Sequence, residues 1–367
     1  MKKVIGFVKK EAVLCVSALA AVISMLFVPP SAAYLDYIDF SVLAVLFCLM
    51  IIVAGFISQN LFGVISSALL KRTSNAKAVS AVLVLICFFA AMLVTNDVTL
   101  ITIVPFTIGI LGTENAARLI FVVTMETVAA NLGSMATPVG NPQNLYLYSA
   151  YNMDIGEFFA AVIPISAVSL LLIAAVMLLG KKSGKITAQN SSAAIVSKPR
   201  FIMYLALFAL CLLTVLRVVD YRITLGVVAV AVLLIDRRLY ARVDYSLLLT
   251  FVAFFVFVGN ISAIPAVRDR LSEIIGGNEM LSGIVLSQVI SNVPAAVMLS
   301  GFTERGGELL KGVDIGGLGT LVASLASLIS FKQYIRSDGA NAGKYLGVFT
   351  LVNVLFLAVL ILYEIVF

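Results

Sequence analysis

Apolar runs of membrane-spanning length, about 20 residues each, recur at about 12–28, 39–58, 115–150, 157–179, 201–218, 222–236, 245–261, 313–335 and 344–365. Two further apolar regions, about 79–111 and 279–303, are interrupted near their middles by Thr95-Asn96-Asp97 and by Ser291-Asn292-Val293-Pro294. Each is too long for one crossing and has no loop at its centre. Both therefore read as re-entrant hairpins that enter and leave on one side. The run at 115–150 is interrupted too, by GSMATPVGNPQN at 133–144, where glycines and prolines break an otherwise helical span.

Composition agrees with this pattern. The 367 residues are 62% hydrophobic and 12% charged, whereas soluble domains are about half apolar and a quarter charged. The chain is expected to be an all-α polytopic membrane protein. Histidine is absent and the cysteines Cys15, Cys48, Cys87 and Cys211 lie inside apolar runs, so no metal-ligand or disulfide spacing is present.

Charge sets the expected orientation. With the N-terminus inside, nine crossings and two re-entrant hairpins, 19 of the 25 basic residues fall inside. The six outside are Arg217, Arg222, Arg268, Arg270, Arg305 and Lys311. This is the positive-inside bias, so the net charge of +6 reflects topology rather than nucleic-acid binding. The expected layout is a cytoplasmic N-terminus and an outside C-terminus, in the cell's inner (plasma) membrane.

The halves echo each other. AGFIS (54–58) resembles VGNIS (258–262), TNDVTLITI (95–103) resembles SNVPAAVML (291–299), and NLGSMATPVGNPQN (131–144) resembles GLGTLVASLASLIS (317–330). These matches pair Gly55 with Gly259, Asn96 with Asn292 and Gly133 with Gly319. The expected organisation is a first inverted repeat over 1–180, a cytoplasmic linker and linker helix over 181–220, and a second repeat over 221–367. Each repeat holds one hairpin and one broken helix, the latter at about 115–150 and 313–335. Inverted repeats characterise transporters, with the site at the repeat interface.

Interrupted backbone at membrane depth persists only where it lines protein or a watery cavity. Asn141-Pro142 is favourable helix-start chemistry, an N-cap followed by proline at the first helical position, and Asn292 with Pro294 offers much the same. Such restarts aim N–H groups and a positive dipole end at a small anion, while the unwound carbonyls suit a cation. The candidate solute site therefore joins two hairpin tips to two breaks. Asp97 and Glu126 are the only acidic residues expected deep in the membrane. Asp97, at a tip, suits cation or proton coupling; Glu126 suits a structural hydrogen bond as well as a functional role. Lys332 is expected to snorkel to the interface.

TND, ATPVGNPQN, SNVP and SLASLIS resemble the divalent-anion/sodium symporters (citrate transporter-like), in a wider superfamily with arsenite permeases and a sodium/proton antiporter group. The resemblance covers nearly everything after the first helix. It implies a homodimeric elevator carrier of a small anion, di- or tricarboxylate first, coupled to Na⁺ or H⁺, with no cofactor beyond a coupling Na⁺. Carried over, Thr95, Asn96 and Gly140 border one Na⁺, and Ser291, Asn292 and Ala326 the other. Asn96, Asn141, Asn292 and Ser327 face the solute, in a set that also holds Asp97, Thr137, Pro138, Val293 and Pro294. The third tip residue is Asp97 or Val293 where dicarboxylate members have Thr, and the second break lacks their Thr-Pro. A carboxylate beside the site repels a dianion unless protonated or paired, so arsenite-permease and antiporter readings stay open. An intramembrane enzyme is disfavoured, because there is no His and no second deep Asp for an aspartate pair.

Overall fold

The computed structural model describes residues 11–70, 75–111, 116–179 and 194–366. Several basic residues of the charge argument (Lys2, Lys3, Lys9, Lys10, Lys71, Arg72, Lys181, Lys182 and Lys185) lie outside them. Among the described residues, seven helices are long and apolar enough to cross a membrane. Large apolar side chains on their outer faces, such as Leu171, Leu178 and Leu362, are exposed, as a lipid-facing surface requires. The protein is an all-α, multi-pass membrane protein.

In chain order the helices are α1 (Ala12–Ser24), α2 (Phe40–Ser58), α3 (Leu61–Leu70), α4 (Ala76–Val94), α5 (Asn96–Leu111), α6 (Ala116–Ser134), α7 (Pro142–Ala150) and α8 (Ile155–Leu179). They continue as α9 (Lys198–Val215), α10 (Tyr221–Asp236), α11 (Tyr245–Ser262), α12 (Pro265–Ile275), α13 (Glu279–Ile290) and α14 (Asn292–Ser300). The last are α15 (Gly306–Ile315), α16 (Leu325–Tyr334) and α17 (Ala342–Val366). A 3-10 turn, Arg237–Arg242, joins α10 to α11. The second broken helix begins at Gly306, earlier than the expected 313. Gly306, Leu309 and Leu310 are buried there. Tertiary packing overrides the polar sequence Gly-Gly-Glu.

Packing divides the helices into two groups. In the first, α1 packs on α11 while α9 and α10 pack on α2. Each half thus lends its first helix to the other half's second. In the second group, α4 and α5 pack on α6, while α13 and α14 pack on α15. The halves exchange partners here as well: α16 packs on α5 and α6, and α14 and α15 on α7. Between the groups, α2 meets α7 and α11 meets α14.

Both hairpins turn on one residue with the same unusual backbone. Thr95 has φ 69° and ψ 150°; Ser291 has φ 77° and ψ 153°. A positive φ is costly for a side-chain-bearing residue, on the order of 1–3 kcal/mol, and for β-branched Thr95 it is a genuine outlier. Surrounding structure must hold it in place. In each half the tip is answered by the break: Asn96 N–H donates to Gly140 C=O (3.3 Å) and Asn292 N–H to Ala323 C=O (2.9 Å).

Candidate functional site

These two bonds fix how the breaks correspond. Gly140 pairs with Ala323, a separation of 183 (323−140), and other contacts keep that register. Thr137 Oγ1 donates to Met92 C=O in the first half; Thr320 Oγ1 donates to Gln288 C=O (3.0 Å) in the second. A Cβ on Gly133 would collide with the Phe88 backbone, and one on Gly316 with the Cα of Ile284. Gly133 therefore corresponds to Gly316, not to Gly319 as the sequence match had it. Gly319 instead sits at φ +104° against the Gln288 side chain. The geometric partner of Gly140 is Ala323, and Ala326 lies buried in the first turn of α16.

In the same register, Asn131 near the end of α6 corresponds to Asp314 near the end of α15, and each crosses to the other half's break. Asn131 Oδ1 accepts from Asn96 Nδ2 (3.0 Å) and Ser324 Oγ (3.0 Å). Its Nδ2 donates to Gly317 C=O (3.3 Å) and Ser327 Oγ (3.4 Å). Asp314 Oδ1 accepts from Asn141 Nδ2 (3.3 Å) and Gln143 Nε2 (3.2 Å). All these side chains are buried. In such surroundings an unpaired polar atom costs about 1–3 kcal/mol, so the two crossings tie the halves together.

Of the two expected helix starts, Asn141-Pro142 is capped, whereas Asn292 lies inside α14 and Ser291 before it makes no side-chain cap. Asn141 Oδ1 accepts from Asn144 N–H (2.8 Å), with Pro142 following. Ser324 occupies the equivalent place in the second half, but its hydroxyl goes to Asn131 and caps nothing. Asn144 Nδ2 is spent on the unwound carbonyls of Ser134, Met135 and Thr137.

A cavity of about 480 Å³ opens on the first tip and break, between the two helix groups. The second group lines it with Thr95, Asp97, Asn141 and Pro142; the first contributes α2 residues such as Leu49 and Ala54, with Arg242 and Asp244 at the start of α11. Of the proposed site residues, Thr95, Asp97 and Asn141 face this cavity. Asn96, Gly140 and Ser327 are buried beside it in the hydrogen-bonded junction. Thr137 is bonded to the hairpin and Pro138 is buried in the break. Ser291, Asn292, Val293 and Pro294 form the buried second tip, against Ala323. The expected symmetric pair is thus symmetric in backbone and unequal in access. Glu126 lies away from the cavity, fully buried, accepting from Thr107 of α5. Lys332 is exposed. Among the described residues no three His, Cys, Asp or Glu side chains converge as a metal cluster would.

Sequence reading missed Asn131 and Asp314, and with them Gln143, Asn144, Arg242 and Asp244. Asp314 is a third deep carboxylate. The Asp-Ile-Gly-Gly run at 314–317, a polar residue just before a helix break, was the available signal.

The family model described as citrate transporter matches residues 4–304. The chain belongs to this family. A transporter of Methanocaldococcus jannaschii is 34% identical over 326 residues, 88% of each chain. The inner membrane protein YbiR of Escherichia coli is 31% identical over 304 residues, 81% of this chain and 80% of its own. The transporter arsB of Dictyostelium discoideum is 30% identical over 134 residues, 35% of this chain and 23% of its own. This citrate transporter family member is a membrane transporter and not an enzyme.

Proposed function

We propose that the protein is a secondary active transporter of a small anion, a di- or tricarboxylate first, coupled to Na⁺ or H⁺. The solute binds where the first hairpin tip meets the first break. The observation that carries this reading is the cavity at Thr95, Asp97 and Asn141, placed between two helix groups that touch sparingly. Asn141 supplies an amide and the restart of α7 a positive dipole end for a carboxylate. Arg242 across the cavity supplies a cation. Tip and break oxygens around Thr95, Asn96 and Gly140, with the second set at Ser291, Asn292 and Ala323, suit a coupling Na⁺ as cargo.

Alternating access follows if the group holding the hairpins slides as a body against the group holding α2 and α11, an elevator movement, with the hairpins re-entrant. The N-terminus is then cytoplasmic, the C-terminus outside, and the protein a homodimer in the inner membrane. Asp97 and Asp244 in the same cavity, with the arsB likeness, favour an arsenite-permease or antiporter role as the second reading.

Uptake of labelled citrate, succinate and arsenite into proteoliposomes, with and without Na⁺ and pH gradients, tests the proposal. Gradient-driven accumulation of a carboxylate is expected. Arsenite transport without carboxylate uptake would select the second reading.

A further inference from the structure

Asp314 presents an imbalance that its counterpart Asn131 does not. Asn131 uses both ends of its amide, with acceptor and donor each matched. Asp314 matches only one oxygen: Oδ1 holds Asn141 and Gln143, and Oδ2 is buried with no partner. By the register, Oδ2 stands where Asn131 carries its donor nitrogen. Asn131 aims that nitrogen at Ser327, and the residue equivalent to Ser327 is Asn144 (327−144 = 183).

Asn144 is fully buried at the first break. Its amide orientation is fixed, because Nδ2 is held by three carbonyls. Its Oδ1 is also buried without a partner. Asp314 Oδ2 and Asn144 Oδ1 are thus two buried acceptors without a donor, and a proton on the Asp314 carboxyl would supply one.

Other ionisable groups on the surrounding elements are engaged elsewhere. Glu279 of α13 pairs with Arg305, and Lys311 of α15 with Glu308 and with Glu364 of α17. Glu126 of α6 accepts from Thr107. Tyr146 of α7 meets Ser300, and Glu157 at the start of α8 is exposed.

We propose that Asp314 is the proton carrier of this transporter, holding a proton on its unpartnered Oδ2. This rests on the transport reading above. Asn141 links the carrier to the cavity, since it lines that cavity and donates to Asp314 Oδ1. When the proton leaves, the carboxylate grips Asn141 and Gln143 with charge-assisted bonds, which are about twice as strong as neutral ones. That withdraws the Asn141 amide from the solute, so solute and proton bind together.

Infrared difference spectroscopy of the purified protein in lipid, at neutral pH, reads the proton without any solute. Wild type minus Asp314→Asn should show a carboxylic-acid carbonyl band that shifts on H/D exchange; its absence would overturn the assignment. Should Asp314→Asn not fold, Asp314→Glu must move the band, and an unmoved band is equally fatal. In proteoliposomes, Asp314→Asn should lose the stimulation of citrate uptake by a pH gradient. A wild-type response to the gradient, with the band lost, would overturn the carrier role while leaving transport intact. Wild-type failure to move citrate at all would instead count against the proposed function and leave the infrared result standing.

Discussion

The two breaks are built on one backbone plan and equipped differently. At each, a tip residue of positive φ hands its neighbour's N–H to the break, and a polar side chain crosses from the opposite half. The first break meets Asp97, a capping Asn141, a carboxylate from Asp314 and an open cavity. The second meets Val293, an uncapped Ser324, a neutral Asn131 and buried packing. Repetition of geometry makes the joint between the halves, while the difference in side chains concentrates charge chemistry in the first half. Repeated backbone need not make equivalent sites.

The largest effect should come from filling the close approach that both halves share. A Cβ at Gly133 lies 2.0 Å from the Phe88 carbonyl oxygen. Overpacking usually costs about 1–3 kcal/mol and occasionally more, and backbone cannot yield as a side chain can. Gly133→Ala should abolish folded protein. Gly316→Ala, whose Cβ would lie 2.9 Å from the Ile284 Cα, should fold with a lowered unfolding midpoint. A wild-type midpoint for Gly316→Ala would break the register proposed for the halves.

Truncating either tip amide should remove transport without unfolding the protein. Asn96→Ala leaves Asn131 Oδ1 still bonded to Ser324, so stability should fall by only about 1 kcal/mol. Asn292→Ala should behave alike. Wild-type uptake by a folded variant of either kind would take that tip out of the mechanism.

Exchanging the crossing residues sharpens the contrast. Asn131→Asp loses the donor to Gly317 and Ser327 and should cost about 1–3 kcal/mol. Asp314→Asn keeps an acceptor for Asn141 and Gln143 and removes a buried carboxylate with an unpartnered oxygen, so it should raise the unfolding midpoint. Shifts in the same direction would contradict the unequal roles. The smallest effect is expected of Asp97→Asn: Asn is shorter of one charge and little else, so the maximal rate should change less than the Na⁺ or pH dependence. An unaltered ion dependence would reduce Asp97 to a structural residue.

Most of the long helices, the two hairpin turns and the first break were legible in sequence because each rests on local signals: apolar length, the Asn-Pro cap, glycine and proline. The register of the second break was not. Gly319 resembles Gly133 in the chain, yet the tight approach to the hairpin is made by Gly316, and only packing distinguishes them. Asp314 escaped for a related reason. Its helix, Gly-Gly-Glu-Leu-Leu-Lys-Gly-Val-Asp-Ile, reads as a polar loop. It is buried because its partners Asn141 and Gln143 come from the other half, a match that no local pattern records.

The claim that the solute meets the first tip and break and not the second can be tested by thiol labelling in a Cys15→Ala background, the remaining cysteines being buried. Asp97→Cys and Val293→Cys occupy equivalent positions, one lining the cavity and one buried at the second tip. With a membrane-impermeant reagent added to detergent-purified protein, Asp97→Cys should react readily and be slowed by citrate, while Val293→Cys reacts slowly and is indifferent to it. Comparable reactivity of both, each protected by the solute, would contradict the account.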